Sequence, residues 1–589
     1  MSHKKSLSSE GAQSRNNQLK GTAHVPQQAQ GLQDPQDAAK KQVNIGRSAA
    51  IMSIATIVSR LTGFLRTWAM AFALGNTLLS SAYTVANNLP NMLYEMVVGG
   101  ILVTAFLPVY VRLSRNSGQE EADKYASNIF TISLIFLGAV SVLCTIFSAQ
   151  VIWTQSFIDS RSSAQASELA SYFFKFFAIQ IVLYGLSSIV SGLLNAKKDY
   201  FWSSVAPIFN NLVTIVTMLA YVPLSHLDEK LALICLGLGT SLGVAAMFII
   251  QVPALKKNGI RLRLRLNLRD PALIETLKIG LPALLVMFSS SLAVSIQNAA
   301  ALHISESGPS VISYARLWYT LPYSFLAVPI STTLFTELSE MYSDGDLKAF
   351  KSTVLVGIKQ LWMTMIPFAC YLVVFATPLS SLFRVGAFDT QAVKEVSSYL
   401  QILAPALPFY ALLMYLNKVF SAARKMGTFS LINLAATALQ IVACLVLTVG
   451  IFSWPGVGLD GTAYGRWVFT VSACLCLIVA LRLSLGALGM REALTSALVA
   501  LILGLLGAFA GAGLMWLLTH YVAPLDGSYL QVVLYLSISG LVSLLVSYGL
   551  AIRAGLNEVA FIAALLSKIT GRFAGSKALA KRPYGKHFK

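Results

Sequence analysis

Long apolar runs dominate this chain, and each is about long enough to cross a lipid bilayer as a helix. A membrane-spanning helix needs about 20 predominantly apolar residues. Runs of this length, separated by short polar segments, lie at roughly 48–74, 80–111, 125–153, 166–194, 201–222, 231–252, 273–302, 311–339, 352–378, 393–422, 429–452, 462–483, 493–520 and 529–552. Their continuity excludes a strand barrel. The pattern predicts an all-α polytopic membrane protein with about 14 transmembrane helices.

Composition supports this prediction and locates the charge. Of 589 residues, 56% are hydrophobic and 12% charged, whereas a soluble domain has about 25% charged residues. The net charge of +19 would suggest a nucleic-acid partner in a polar protein. Residues 1–47, 252–270 and 568–589, however, carry +4, +5 and +7 of it. We therefore interpret most of the charge as membrane topology and expect no nucleic-acid partner.

The loops between the runs differ in charge on the two sides of the membrane. Lysines and arginines are rare in the loops opposite the two tails and frequent in the loops on the tail side, at Arg112, Arg115, Lys124, Lys197, Lys198, Lys256, Lys257, Arg261, Arg263, Arg265, Arg269, Lys348, Lys351, Arg424, Lys425, Arg482 and Arg491. Basic loops favour the cytoplasmic side. Both tails are predicted to be cytoplasmic, and the basic loop is expected to contact anionic lipids there.

The chain also repeats itself after about 227 residues. SYFFKFFAIQIVLYGL at 171–186, followed by NAKKDYF, parallels SYLQILAPALPFYAL at 398–412, followed by SAARKMGTF. Chance similarity between apolar segments is the alternative, but the basic loops keep the same register. Because six helices separate equivalent points, the copies have the same orientation, as in parallel-repeat transporters. The predicted organisation is a disordered tail (1–47), an N-lobe (48–252), a basic loop (253–272), a C-lobe (273–484), two extra helices (485–553) and a basic tail (554–589).

Two arginines interrupt the first apolar run. In IVSRLTGFLRTWAMAF, Arg60 and Arg66 lie at bilayer depth, where each costs about 2.5–3.5 kcal/mol on insertion scales. Six residues separate them, which is about 120° around an ideal helix, and Gly63 between them permits a bend. We expect both to line a cavity. The alternatives are snorkelling to the interface or an ion pair with Glu95.

The second run is rich in amides near a proline, in NNLPNMLYEMVVGG. Asn87, Asn91 and Glu95 flank Pro90, and such amides often serve as contacts between transmembrane helices. Because the two asparagines lie near Glu95 and the arginines in the sequence, we expect them to belong to a substrate-binding site.

Further intramembrane cations lie in later runs. Lys175 and Arg316 are candidates for the same cavity. The alternative for Arg316, as for Lys418 and Arg466, is that it lies close enough to an interface to snorkel. The excess of cations over acids within the spans favours an anionic substrate.

Recognisable catalytic chemistry is missing from the sequence. There is no P-loop motif, and the six histidines are scattered without metal-ligand spacing. The six cysteines fall inside apolar runs, where they are interpreted as small core residues. The sequence therefore predicts a transporter, with no catalytic residue, metal or cofactor.

Several of these segments resemble one known family. SRLTGFLR at 59–66, ANNLPNMLYEMVVGGILVTAFLPVY at 86–110, LFRVGAF at 382–388 and LPFYALLMYLNKVFSAARKMGTF at 407–429 resemble motifs of the MurJ/MviN flippases, within the MOP transporter superfamily. YARLWYTLP at 314–322 is a looser match. The resemblance spans about residues 45–485.

The resemblance implies a function and several site residues. Members of this family move lipid II, an undecaprenyl-pyrophosphate-linked peptidoglycan precursor, across the bacterial cytoplasmic membrane. The family's first-helix serine and arginines correspond to Ser59, Arg60 and Arg66. The two extra helices are expected to provide a groove for the lipid tail.

This chain departs from the family pattern at four positions. Thr67 replaces an acid, Tyr94 a basic residue and Gly99 a glutamate, while Leu317 takes the register position of an arginine that is here Arg316. These departures leave alternatives open: a flippase for another polyprenyl-pyrophosphate glycan, a drug/cation antiporter, an intramembrane transferase, or a non-transporting scaffold for cell-wall enzymes.

Overall fold

The computed structural model describes residues 35–96, 106–158, 160–451, 453–523, 528–560 and 562–563, with side chains from residue 55 onward except at 161–162 and 279–283. The chain divides into two units, Met1–Ile51 and Met52–Lys589, and every contact discussed below lies within the second. Gly99 and most of the C-terminal tail fall outside the described residues.

The predicted disorder of residues 1–47 needs one correction. Helix begins at Pro35, inside the stretch predicted to be disordered, while residues 1–34 are outside the described part. Proline suits the first position of a helix, and the Ala, Lys and Gln residues that follow have high helix propensity. Local propensity therefore extends the helix beyond the apolar run.

The described part of the first half of the chain contains ten α-helices. In chain order these are α1 (Pro35–Leu74), α2 (Leu78–Tyr94), α3 (Leu107–Asn116), α4 (Gln119–Ile146), α5 (Ser148–Trp153), α6 (Arg161–Phe177), α7 (Gln180–Ala196), α8 (Tyr200–Leu227), α9 (Glu229–Ile249) and α10 (Val252–Lys257).

The second half follows the same pattern and ends with two further helices. The helices are α11 (Pro271–Ile304), α12 (Gly308–Pro322), α13 (Val328–Ser343), α14 (Leu347–Val374), α15 (Ala376–Ser381), α16 (Thr390–Leu403), α17 (Leu407–Ala422), α18 (Met426–Val449), α19 (Asp460–Leu485), α20 (Met490–Leu517) and α21 (Tyr529–Arg553). No strand occurs among the described residues, which confirms the all-α prediction.

The number of membrane spans is confirmed only in part. Among the described residues, ten helices are long and apolar enough to cross a membrane, or eleven if α6 and α7, bent by 46°, count as one span. The protein is therefore a multi-span membrane protein, and the count of fourteen stays a prediction.

The two halves repeat each other helix by helix. Helix α4 and helix α14 both contain 28 residues, and the short helices α5 and α15 both contain six. The hairpin of α8 on α9 has its counterpart in α18 on α19, and α2 packs on α6 as α12 packs on α16. This correspondence supports the predicted parallel repeat.

Backbone geometry repeats as well. Gly118 and Gly345, which precede α4 and α14, have φ values of 88° and 77°. Lys198 and Arg424 are the non-glycine residues with positive φ in the described chain, at 63° and 54°. Lys198 follows α7 and Arg424 follows α17, and the two residues lie 226 positions apart, so even a costly backbone conformation is kept in both copies.

Loops with basic residues come together at one end of the molecule, which we call the basic end. There Lys197 donates a hydrogen bond to Gln119, and the amide of Asn258 donates to Asp199 over 2.8 Å. The opposite end carries the loops after α1, α11 and α15.

Part of the predicted basic loop is an extended strap, residues 260–269, along helix α4. The N–H groups of Arg261, Arg263 and Arg265 donate to Asp123, Ser127 and Thr131 over 3.0–3.1 Å. Two residues of an extended strand advance about as far as four residues of a helix. The strap is therefore held along the first half. A two-pronged salt bridge between Arg112 of α3 and Glu275 also joins the start of α11 to the first half.

Helices α20 and α21 pack on each other and on α14. A β-carbon on Gly507 or Gly511 would overlap Ser547, Ser543 or the Ser539 carbonyl, so these glycines allow close approach. At the basic end, Lys359 of α14 lies 3.0 Å from Glu558 and 3.8 Å from Glu492. Only 23% of the Lys359 side chain and 16% of the Glu558 side chain are exposed.

We expect Lys359→Met to lower the free energy of unfolding by about 1–3 kcal/mol, because it leaves a mostly buried carboxylate without its partner. The double variant Lys359→Met/Glu558→Gln should recover much of this loss. Thermal unfolding in detergent measures the effect, with the exposed Lys348→Met as control. Equal destabilisation in the single and double variants would contradict the pairing.

Candidate substrate-binding site between the two halves

One face of α1 contacts the second half of the chain. Arg60, Phe64 and Trp68 are four residues apart and therefore share this face. The ring of Phe64 lies 5.3 Å from that of Trp318 and 6.2 Å from that of Phe383. The indole N–H of Trp68 donates to the carbonyl of Leu382 over 3.1 Å.

Toward the opposite end the two backbones touch. The N–H of Ala387 donates to the carbonyl of Phe72 over 3.0 Å, and the Tyr314 hydroxyl donates to the carbonyl of Gly75 over 2.8 Å. Gly75 and Gly386 have φ values of 63° and 65°. A β-carbon on either glycine would overlap backbone atoms of the facing half. We call these contacts, with Phe64, Trp318 and Phe383, the interlobe seal.

A polar network borders the seal. Glu395 accepts hydrogen bonds from the Asn76 amide over 2.8 Å and from the Ser307 hydroxyl over 3.1 Å. The Ser81 hydroxyl donates to Ser310 over 3.3 Å, and Ser310 donates to Asn76. The two halves are thus closed against each other at this end.

Arg60 lies just beyond the seal, about one helical turn from Phe64 in the direction of the basic end. Its side chain is exposed, and it interacts electrostatically with Tyr323 of the second half. The preceding Ser59 is half-buried, and its carbonyl accepts from the Asn211 amide over 3.3 Å, which fixes this turn of α1 on α8.

Arg66 has different neighbours. It is half-buried and interacts electrostatically with Tyr83 of α2 and Tyr184 of α7. Helix α1 continues through Gly63 between the two arginines. The structure therefore directs Arg60 toward the second half and Arg66 toward tyrosines of the first half.

The predicted residues of α2 differ in exposure and partners. Asn91 donates to Glu95 over 2.9 Å, and Glu95 is exposed, whereas Asn87 is half-buried. The alternative of an arginine–Glu95 ion pair finds no support, because Glu95 forms no salt bridge within the described part of the chain.

Tyr94, which replaces a basic residue of the family pattern, is buried. Its hydroxyl donates to Ser188 over 2.6 Å, and its ring stacks on Tyr184 at 6.4 Å. Tyr184 also neighbours Arg66. Two stacked tyrosines, Tyr94 and Tyr184, therefore lie where the family pattern has a cation.

Arg316 lies on α12, facing the second half's own interior. Its side chain is exposed, and it interacts electrostatically with Arg466 and Tyr410 of the same half. Leu317 instead packs against the apolar core. The arginine in this chain is thus the residue that faces the polar cluster.

Lys175 is not brought together with the arginines by any contact in the described residues. It lies on the exposed face of α6, away from the fully buried Phe173, Phe174 and Phe177.

Arg466 and three tyrosines were missed as candidate residues. Arg466 was expected to snorkel, but its guanidinium lies over the ring of Tyr410, 5.4 Å from the centroid. Tyr319 and Tyr323 share a helical face with Arg316, and that spacing of three and seven residues is a signal the sequence does contain.

The described residues include no group of three or more metal-ligating side chains. All six cysteines are free.

Comparisons with known proteins agree with this architecture. The family described as "Lipid II flippase MurJ" matches residues 70–537. The lipid II flippase MurJ of Burkholderia cenocepacia is 27% identical over 393 residues, covering 66% of this chain and 75% of that protein. A probable lipid II flippase MurJ of Borreliella burgdorferi is 22% identical, covering 73% and 82%.

Solved structures give the same fold. A lipid II flippase MurJ in an inward closed conformation superposes with a TM-score of 0.67 at 21% identity, covering 85% of this chain and 99% of that one. An inward-facing multidrug resistance MATE family transporter of the MOP superfamily has a TM-score of 0.62 at 16% identity, covering 74% and 98%.

Two repeated helical halves that close against each other at one end form the fold that this chain shares with solved MurJ and MATE transporters. The match over most of the chain is more specific: the protein belongs to the MurJ family of lipid II flippases. The resemblance found in the sequence motifs is thereby confirmed.

We expect Gly386→Ala and Gly75→Ala to open the interlobe seal, because each adds a β-carbon where backbone lies and places a side chain at positive φ. Such strain costs about 1–3 kcal/mol, enough to shift a two-state equilibrium by about 5–150-fold. The readout is the rate at which a thiol reagent labels Ser310→Cys, buried beside the seal.

Gly138→Ala is the matched control, since a β-carbon there meets open space. Equal labelling rates in all backgrounds would show that the two glycines do not hold the seal.

Proposed function

We propose that this protein moves lipid II, a lipid carrying an undecaprenyl-pyrophosphate head group, from the inner to the outer leaflet of the bacterial cytoplasmic membrane. The single observation that carries the proposal is the family match over residues 70–537. Arginines without acidic partners near the junction of the two halves support it, because such groups suit a pyrophosphate.

The head group binds between the halves in a cationic cavity. Arg60, Arg66 and Arg316 form no salt bridge with any described residue. Guanidinium groups bind phosphate oxygens in a two-pronged geometry that lysine does not match. Ser59, Asn87 and Asn91 add polar groups beside the arginines, Glu95 orients Asn91, and Lys175 extends the positive field.

Transport proceeds by alternating access. With the interlobe seal closed, the head group enters from the basic end and reaches Arg60. Rocking of the N-lobe (48–252) against the C-lobe (273–484) then opens the seal and releases the head group on the other side. Moving one unit of charge across the membrane potential involves about 2.3 kcal/mol per 100 mV, so a cation that moves with this change links transport to the potential.

The prenyl tail stays in lipid throughout. Helices α20 and α21, which lie outside the repeat, present apolar side chains such as Leu498, Ile502 and Phe509 at their surface. We assign the groove for the tail to this region (485–553).

The basic end and both tails are cytoplasmic in this proposal. The strap carries exposed leucines at 264, 266 and 268 between exposed arginines at 263, 265 and 269. This alternation suits the boundary between acyl chains and anionic head groups.

Arg60→Ala and Arg66→Ala should each reduce lipid II translocation in proteoliposomes about ten- to a hundredfold, the loss expected for one charged hydrogen-bonding group. Arg482→Ala, exposed in the last turn of α19, should transport normally. Undiminished transport by correctly inserted Arg60→Ala and Arg66→Ala proteins would overturn the site assignment.

Expression of this chain should restore growth to cells depleted of their own lipid II flippase. A variant lacking residues 1–44 and 572–589 should rescue nearly as well, because the proposed transport machinery lies between them. Rescue that disappears with the tails, while membrane insertion persists, would favour the scaffold interpretation.

A further inference from the structure

Three side chains on one face of α12 and the turn after it converge on a single tyrosine. Arg316, Tyr319 and Tyr323 are spaced by three and four residues and so share a face. The rings of Tyr319 and Tyr323 lie 5.5 Å and 4.9 Å from the ring of Tyr410 on α17. Arg316 interacts electrostatically with the same tyrosine.

Arg466 of α19 completes this cluster. Its guanidinium lies 5.4 Å from the ring centroid of Tyr410 and 5.5 Å from that of Phe469. It also interacts electrostatically with Arg316 and with Tyr319. The two guanidinium groups therefore interact with each other, and because both are positively charged, they repel.

No acid offsets this repulsion among the described residues. Neither Arg316 nor Arg466 has a carboxylate within salt-bridge distance. Even Asp460, which lies on α19 with Arg466, forms no salt bridge with it. The hydroxyl of Tyr319 is buried beside Arg466 and interacts with its guanidinium. The cluster thus holds two guanidinium groups with no carboxylate to accept their hydrogen bonds among the described residues.

The repeat shows that the fold does not require a cation at this position. Trp467 donates to the carbonyl of Ile402 over 2.8 Å, and Ser241 donates to the carbonyl of Phe176 over 2.8 Å. The two donors lie 226 residues apart in the sequence, and so do the two acceptors. The counterpart of Arg466 is therefore Thr240, whose hydroxyl pairs with Tyr83 at 2.9 Å. A neutral hydroxyl serves the first half where the second half has a guanidinium.

We propose that Arg316, Arg466 and the Tyr319 hydroxyl form an oxyanion-binding subsite in the second half, additional to the one at Arg60. Tyr323 and Tyr410 link the two, since Arg60 neighbours Tyr323 and Arg466 lies over Tyr410. The ligand is a phosphate or carboxylate group, because both present paired oxygens to guanidinium. Its assignment to the transported head group rests on the proposed function, and a free inorganic anion is the other source.

Binding of inorganic pyrophosphate to the purified full chain in nanodiscs tests the subsite. Arg466→Gln and Arg316→Gln should each weaken pyrophosphate binding about tenfold, and Tyr319→Phe should weaken it less. Arg482→Gln on the same helix as Arg466 is the matched control and should bind as the parent does. Arg466→Lys, which keeps the charge without the planar fork, should fall between.

Thermal stability provides a readout that does not depend on transport. Without anion, Arg466→Gln and Arg316→Gln should unfold at or above the parent's temperature, because one of two repelling charges is gone. Added pyrophosphate should raise the unfolding temperature of the parent and much less that of either variant. Pyrophosphate affinity and stabilisation equal to the parent's in both variants would overturn the proposal.

Lipid II translocation separates the two sources of the anion. If Arg466→Gln loses both pyrophosphate binding and transport, the subsite holds the head group. If it loses pyrophosphate binding alone, the subsite holds a free anion. A parent protein that binds pyrophosphate through Arg466 and moves no lipid II would refute the proposed function while leaving the subsite intact.

Discussion

An arginine without an acidic partner is stable at bilayer depth only where water or an anion reaches it, and this constraint governs the architecture of the protein. Each such guanidinium costs about 2.5–3.5 kcal/mol on insertion scales. Arg60, Arg66, Arg316 and Arg466 all lie in apolar helices, and none forms a salt bridge with a described residue. Tyrosines surround them instead, and their rings and hydroxyls tolerate a cation without neutralising it.

Closure at one end depends on backbone contact between the two halves. Side chains alone would hold the helices farther apart, but Gly75 and Gly386 let each chain approach the other's carbonyl groups. The hydrogen bonds made there, such as Ala387 to Phe72, involve groups that water satisfies equally well once the halves separate. In the proposed transport cycle, such a seal opens without leaving buried polar groups unsatisfied. At the basic end, in contrast, the strap holds the linker along α4 with hydrogen bonds spaced along the helix.

The internal repeat supplies a comparison within one molecule. The lengths of several helices and even the positive-φ residues Lys198 and Arg424 recur in both halves, so what recurs belongs to the fold. What differs is then informative about chemistry. Thr240 pairs with Tyr83 in the first half, whereas its counterpart Arg466 lies beside a second arginine. The halves share a scaffold and differ in the charge they present.

Much of the fold followed from the sequence, because whether a segment spans the membrane depends on the length and hydropathy of its own residues. Run length and polarity indicated the helices, and similar segments 226–228 residues apart indicated the repeat, whereas the sidedness indicated by the basic loops stays a prediction. The motifs also indicated the family. Helix propensity outside the apolar runs was the exception, since α1 begins at Pro35, within residues expected to be disordered.

The sequence also identified intramembrane cations, but only the tertiary structure decided their neighbours. Arg60 and Arg66 belong to one motif, yet one faces the second half and the other faces Tyr83 and Tyr184. Arg466 was expected to snorkel and instead lies over Tyr410. Hydropathy determines that a residue lies in the membrane, whereas its partners depend on the rotation and packing of helices distant in the chain. That information arises only when α1, α12, α17 and α19 are brought together.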